Sequence, residues 1–106
     1  MPQRTWTLRR HRDGAGCVLA VVPFEDELDP LAELLATAGY FAFVAIGPGL
    51  AALCRVAAFD LIVVLAGVDE VDRALARTVQ SAERLIELDA DQRPLLVERI
   101  RDRLAS

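Results

Sequence analysis

The sequence predicts an α/β protein, a parallel sheet with helices on both faces and about four core strands, on three observations. Three runs are apolar at consecutive positions, VLAVV at 18–22, FAFVAI at 41–46 and LIVVL at 61–65. Such runs mark strands covered on both sides, as in a parallel sheet. The stretches between them place apolar residues three and four apart, the period of an amphipathic helix. Glycines and prolines punctuate the changes of period, at Gly39, at Gly47-Pro48-Gly49 and at Gly67. Strands alternating with helices imply a sheet joined by right-handed crossovers.

The elements follow in order. Residues 1–16 read as a basic arm ending in the linker Asp13-Gly14-Ala15-Gly16, and 17–106 as the domain proper. Residues 17–22 are the first core strand. Asp29 is expected to cap a helix whose first position is Pro30, a residue with no N–H to lose there. Leu31, Leu34, Leu35 and Ala38 form its apolar stripe, and Gly39 stops it. Residues 40–46 are the second strand, followed by a turn at Gly47-Pro48-Gly49. A short helix over 50–57 has Leu50, Leu53, Cys54 and Ala57 on one face. Residues 59–65 are the third strand. A helix over 69–82 follows, with Val71, Ala74, Leu75, Thr78, Val79 and Ala82 as its stripe. Residues 84–88 make a short fourth strand, and a last helix runs from 91 or 94 to 104 with Leu96, Ile100 and Leu104 spaced by four.

Length and composition narrow the function classes. The 106 residues suit one domain, and 54% hydrophobic with 26% charged residues suits a compact core rather than a disordered chain. No apolar run approaches the roughly 20 residues that span a bilayer. The basic start lacks an apolar segment leading to a small-residue cleavage site, so a cytoplasmic protein is expected, with Cys17 and Cys54 as free, buried thiols. One histidine and two scattered cysteines offer no zinc spacing, and no metal or cofactor is expected. Arg4, Arg9, Arg10 and Arg12 give residues 1–12 a charge of about +4, and the remainder carries about −8. An acidic body disfavours nucleic acid, because phosphates reward clustered positive charge. The chain contains no lysine.

These landmarks resemble, in order, the receiver domain of two-component response regulators, the CheY-like form of the flavodoxin-like fold. VLAVV stands as the first strand, LAELLATAGY as the first helix and turn, GPGLAAL where receivers carry Gly-x-x-Ala-Leu, FDLIVVL where they carry the phosphoacceptor strand, and SAERLIELD with LLVERIRDRL as last strand and terminal helix. The resemblance covers about residues 17–105. It implies a site of two acids holding Mg²⁺, an aspartate nucleophile and a lysine that pairs the transferred charge.

Each of those positions is degenerate in this chain. Counting from Ala38-Gly39-Tyr40 puts the acid pair on Val22 and Pro23, with Phe24 next, and counting from Asp60-Leu61-Ile62 puts the phosphoacceptor on Leu65. The lysine position falls near Leu88 or Asp89. Residues 66–83 leave room for one helix where the family has a helix, a strand and another helix. The resemblance therefore implies a shortened pseudo-receiver without catalysis.

Other candidate groups have plainer readings. Glu25, Asp26, Glu27 and Asp29 crowd one loop, but a hard cation needs oxygens converging from several segments, so a solvated loop with the Asp29 cap is expected. Gly47-Pro48-Gly49 lacks the full Gly-x-Gly-x-x-Gly phosphate pattern and reads as a turn. Cys54 has no histidine partner in the body and reads as core. His11 lies in the arm and reads as solvated.

Two function classes remain. One is a phosphorylation-independent interaction module with a signalling protein and a second copy of itself as partners. The other is a small nucleic-acid or anionic-surface binder acting through the arginine arm. An enzyme is not expected, since no nucleophile sits with a base. Deleting a strand and helix should leave a sheet edge short of cover. Residues 4–9 alternate polar and apolar, with Trp6 and Leu8 on one face and Thr5 and Thr7 on the other. They are expected to pair with a sheet edge, within the chain or across a two-fold dimer, through Arg4, Trp6, Leu8, Arg9 and Arg10; a free basic tail is the alternative.

Overall fold

The computed structural model describes residues 4–10 and 16–105. His11 and most of the Asp13–Gly16 linker lie outside them. The described residues form a five-stranded sheet with four α-helices: β1 (Trp6–Arg9), β2 (Cys17–Val21), α1 (Leu28–Thr37), β3 (Phe41–Ala45), α2 (Gly47–Val56), β4 (Leu61–Val64), α3 (Glu70–Val79), β5 (Leu85–Glu87) and α4 (Leu96–Ala105). The strand order is β1-β3-β2-β4-β5. β2 runs parallel to β3 and β4, and β4 runs parallel to β5. β1 is antiparallel to β3, with Trp6 opposite Ala45 and Arg9 opposite Ala42.

Successive side chains of a strand point to opposite faces, which divides the core in two. Val18, Ala20 and Val22 pack with Leu28, Leu31 and Leu35 of α1 and with Leu96 and Ile100 of α4. Leu19 and Val21 pack on the other face with Leu50 and Leu53 of α2 and Ala76 of α3. Helices thus cover both faces, and the continuous apolar runs are the consequence. Each fully buried leucine in these layers contributes about 1.5–3 kcal/mol by leaving water.

Gly39 ends α1 as expected, at φ +103°. Its N–H donates to Ala36 O at 3.0 Å and that of Tyr40 to Leu35 O at 3.1 Å, the paired closure that a left-handed residue after a helix allows. The start of α1 differs from expectation. A 3-10 turn over Glu25–Glu27 feeds straight into Leu28, so Asp29 and Pro30 lie inside the first turn and Asp29 is not the cap. Gly47-Pro48-Gly49 is also not a free turn, for it is the first turn of α2. Pro48 loses no hydrogen bond there. Gly49 is required by contact, since a Cβ would stand 2.1 Å from Thr5 O.

Further along, the third core strand is shorter than the sequence suggests. Asp60 bends before it, its carboxylate accepting the Cys17 N–H at 2.8 Å. The expected helix over 69–82 ends at Val79, where Gln80 turns to donate from Nε2 to Phe59 O at 3.0 Å. Asp89 and Gln92 form a reciprocal capping box over a 3-10 stretch, Ala90–Leu95, which holds Pro94 and delays α4 to Leu96. Cys17 and Cys54 are half-buried rather than buried.

The arm pairs within the chain, but not where an edge was expected to need it. It extends the sheet beyond β3, at the opposite side from β4 and β5. Ile46 N–H donates to Thr5 O at 2.9 Å, which sets the register.

Candidate site at the carboxyl end of the sheet

In open parallel sheets ligands bind beyond the carboxyl ends of the strands, where connections depart in opposite directions. Here the chain leaves β2 for α1 on one face and β4 for α3 on the other. A crevice of about 250 Å³ lies at that point, lined among others by Pro23, Phe24, Gly47, Gly67, Asp69 and Asp72. Phe24 is 65% exposed at its mouth. Val22 and Pro23 therefore follow β2, and Leu65 follows β4, at the neighbouring strand ends where the sequence register puts the degenerate positions.

None of these side chains offers charge to a ligand. Leu65 is completely buried, and its N–H donates to Val21 O at 3.0 Å. Val22 is buried beside it in the same core layer. The loop after β4 turns at Gly67, φ +92°, and is fastened by Arg73 of α3. That guanidinium donates to Leu65 O, to Val68 O and to Glu87 Oε1, each at 3.1 Å. Glu87, at the end of β5, also accepts two bonds from Arg77 at 3.0 and 2.8 Å, and Arg77 reaches Glu70 at 2.9 Å. Hydrogen bonds from Arg77 and Arg73 hold the Glu87 carboxyl below the usual range against the opposing effect of burial. The crossing carbonyls and carboxylates are thus neutralised by arginines of the chain itself.

A second acidic group, Asp72 of α3, lies near the start of α2. A helix N-terminus attracts anions through its free N–H groups and its dipole. At Gly47 the Asp72 carboxylate already lies close, since a Cβ on Gly47 would stand 2.4 Å from Asp72 Oδ2. At the lysine position Leu88 is buried and Asp89 is engaged in its capping box.

The acidic loop is solvated as expected, with Asp26 exposed, but several of its carboxylates are also tied. Glu25 Oε1 accepts the Arg4 N–H at 3.3 Å, and Glu27 pairs with Arg93. Asp29 accepts from Arg4 at 2.6 Å and from Thr7 Oγ1 at 3.3 Å. The Arg4 bond holds the Asp29 carboxyl below its usual range. Among the described residues no three histidine, cysteine or acidic side chains converge as metal donors. Burial pushes both thiols up, Cys17 further helped by Asp60, so each stays protonated at neutral pH.

The arm residues named from sequence take distinct places. Trp6 is 41% exposed, its ring 6.1 Å from that of Phe43, and Leu8 is half-buried opposite Phe43. Arg10 lies over the ring of Phe41 at 5.4 Å. Arg9 lines a shallow surface cleft with Glu33. Arg73, Arg77, Glu87 and Asp72 were not foreseen. Glu70, Arg73 and Arg77 at positions i, i+3 and i+7 do mark a charged helix stripe, but their meeting with Glu87 is tertiary. No family model, curated protein or solved structure matches the chain.

Proposed function

We propose that this chain is a shortened, degenerate receiver of the CheY-like kind that works as a phosphorylation-independent interaction module, with a signalling protein and a second copy of itself as partners. The observation that carries the reading is the chemistry at the ends of β2 and β4, where the groups are apolar or already bonded within the chain. Leu65 is buried where a nucleophile would stand, and Arg73 is bonded to the Leu65 and Val68 carbonyls and to Glu87. Phosphoryl transfer depends on positioned metal and charge, and Val22, Pro23 and Leu65 carry neither a carboxylate nor a cation. The parallel strands in the order β3-β2-β4-β5 are compatible with the flavodoxin-like order less one strand.

The reading of the arm as a nucleic-acid binder loses support from its own arginines. Arg4 is paired with Asp29 and Arg10 lies on Phe41, whereas phosphate binding requires free cations.

The test is treatment of the full chain with acetyl phosphate and Mg²⁺, or with beryllofluoride, followed by amide NMR spectra and intact mass. Unchanged spectra and mass are expected. An acid-labile phosphoryl adduct would overturn the reading.

A further inference from the structure

Among the described residues the two outer strands of the sheet end differently, and β1 is the open one. Because Thr5 O accepts from Ile46, the alternation of an antiparallel ladder turns Thr5, Thr7 and Arg9 toward β3. Trp6 and Leu8 consequently direct their N–H and C=O groups away from the sheet. Residues 5–9 contain no proline, lysine or bulge, the usual devices that blunt such an edge. At the other margin Arg103 of α4 covers β5, donating to Leu85 O at 3.1 Å and to Glu83 O at 3.0 Å.

We infer that β1 pairs antiparallel with β1 of a second copy about a two-fold axis at Thr7, making one continuous sheet across the dimer. This rests on the reading above of an interaction module and names the surface by which it meets its own copy. A two-fold axis normal to the sheet keeps the faces matched, so even-numbered residues oppose even-numbered ones. With the axis at Thr7, Trp6 of each copy stands opposite Leu8 of the other. Their outward backbone groups then form two hydrogen-bonded pairs flanking a Thr7–Thr7 contact. The exposed Trp6 ring gains an apolar neighbour on the face where it already leans on Phe43. Charge permits this register. Arg4 and Arg10 would be opposed, but Arg4 is neutralised by Asp29 and Arg10 is drawn over Phe41. The contact is isologous, so it closes at two chains.

The test uses the full chain and two kinds of variant. Light scattering over a dilution series should give twice the chain mass, falling to one on dilution. Leu8→Pro removes an N–H that faces away from β3, so it spares the intramolecular ladder and should weaken the dimer at least tenfold. Opposed Thr7 Cα atoms in a non-hydrogen-bonded pair lie about 4.5 Å apart, within disulfide reach. Mild oxidation should therefore join Thr7→Cys chains covalently and leave parent and Leu8→Cys chains unjoined. A single-chain mass at all concentrations would overturn the inference, as would growth beyond two chains, a dimer indifferent to Leu8→Pro, or cross-linking through Leu8→Cys instead. These outcomes are separate from the phosphorylation test: a monomer without an adduct removes the edge pairing and the second copy as partner but leaves the phosphorylation-independent reading, whereas an adduct on a dimer removes that reading and leaves the pairing.

Discussion

The two sides of the sheet are held in different ways. On the β4–β5 side, Arg73, Arg77 and Arg103 from two helices reach across to carbonyls and to Glu87, and each bonds more than one acceptor. On the β3–β1 side, the outermost strand is held by its ladder and by Asp29, which takes one bond from Arg4 and one from Thr7 at an exposed surface. One margin is fastened by helix side chains that cross to backbone and carboxylate, and the other mainly by backbone pairing.

The comparison breaks hardest at Leu65. Leu65→Asp puts a carboxylate into a fully buried site where the neighbouring cation, Arg73, is already bonded to backbone carbonyls and Glu87. A loss of about 3 kcal/mol or more is expected, with no gain of phosphorylation. Thermal melting checks it, and a variant melting at the parent temperature would place residue 65 in solvent.

Arg73→Ala should come next. It leaves Val68 O and one bond of Glu87 without the Arg73 donor and Leu65 O with only the long bond from the Val68 N–H at 3.4 Å, and a cost of about 1–3 kcal/mol is expected in urea unfolding. Amide exchange should rise in the loop 65–69 and remain unchanged in β1. A uniform rise across both sides would erase the distinction between them.

Acid gives the smallest and sharpest contrast. Asp29 and Glu87 both have lowered values in the fold, Asp29 chiefly through its hydrogen bond with Arg4 and Glu87 through that with Arg77. A depressed carboxyl stabilises fully above its ordinary range, near pH 4, and that contribution disappears as pH falls through the lowered value. Glu87→Gln should therefore flatten the acid limb of the melting profile by under about 1 kcal/mol. Arg4→Ala should leave melting unchanged and raise amide exchange only at Thr7 and Arg9, whose N–H groups face β3.

Much of this architecture could be read from the residues because burial on both faces writes itself as unbroken apolar runs. VLAVV, FAFVAI and LIVVL are strands for that reason, and Gly39 stops α1 because only a left-handed residue completes its closure. Helix starts were less readable. Asp29 has the chemistry of a cap, yet the approach of Arg4 and Thr7 takes its carboxylate elsewhere, and Gly47-Pro48-Gly49 looks like a turn until Thr5 O is seen against Gly49. At the strand ends the counted register placed Val22, Pro23 and Leu65 after neighbouring strands, and they do follow β2 and β4. The arginines that fasten the loop after β4 could not be read, since Arg73 and Glu87 meet only in the packed arrangement of β4, α3 and β5.

The position of β1 also orders events in time. It precedes β2 in the chain yet lies outside β3, so its partners at residues 42–45 exist only after β2, α1 and β3 have come together. Closing so long a loop for four residues is entropically late. A segment that precedes β2 in the chain is then among the last to dock. Substitutions there should accelerate unfolding while leaving the rate of folding nearly unchanged, the signature of contacts absent from the transition state.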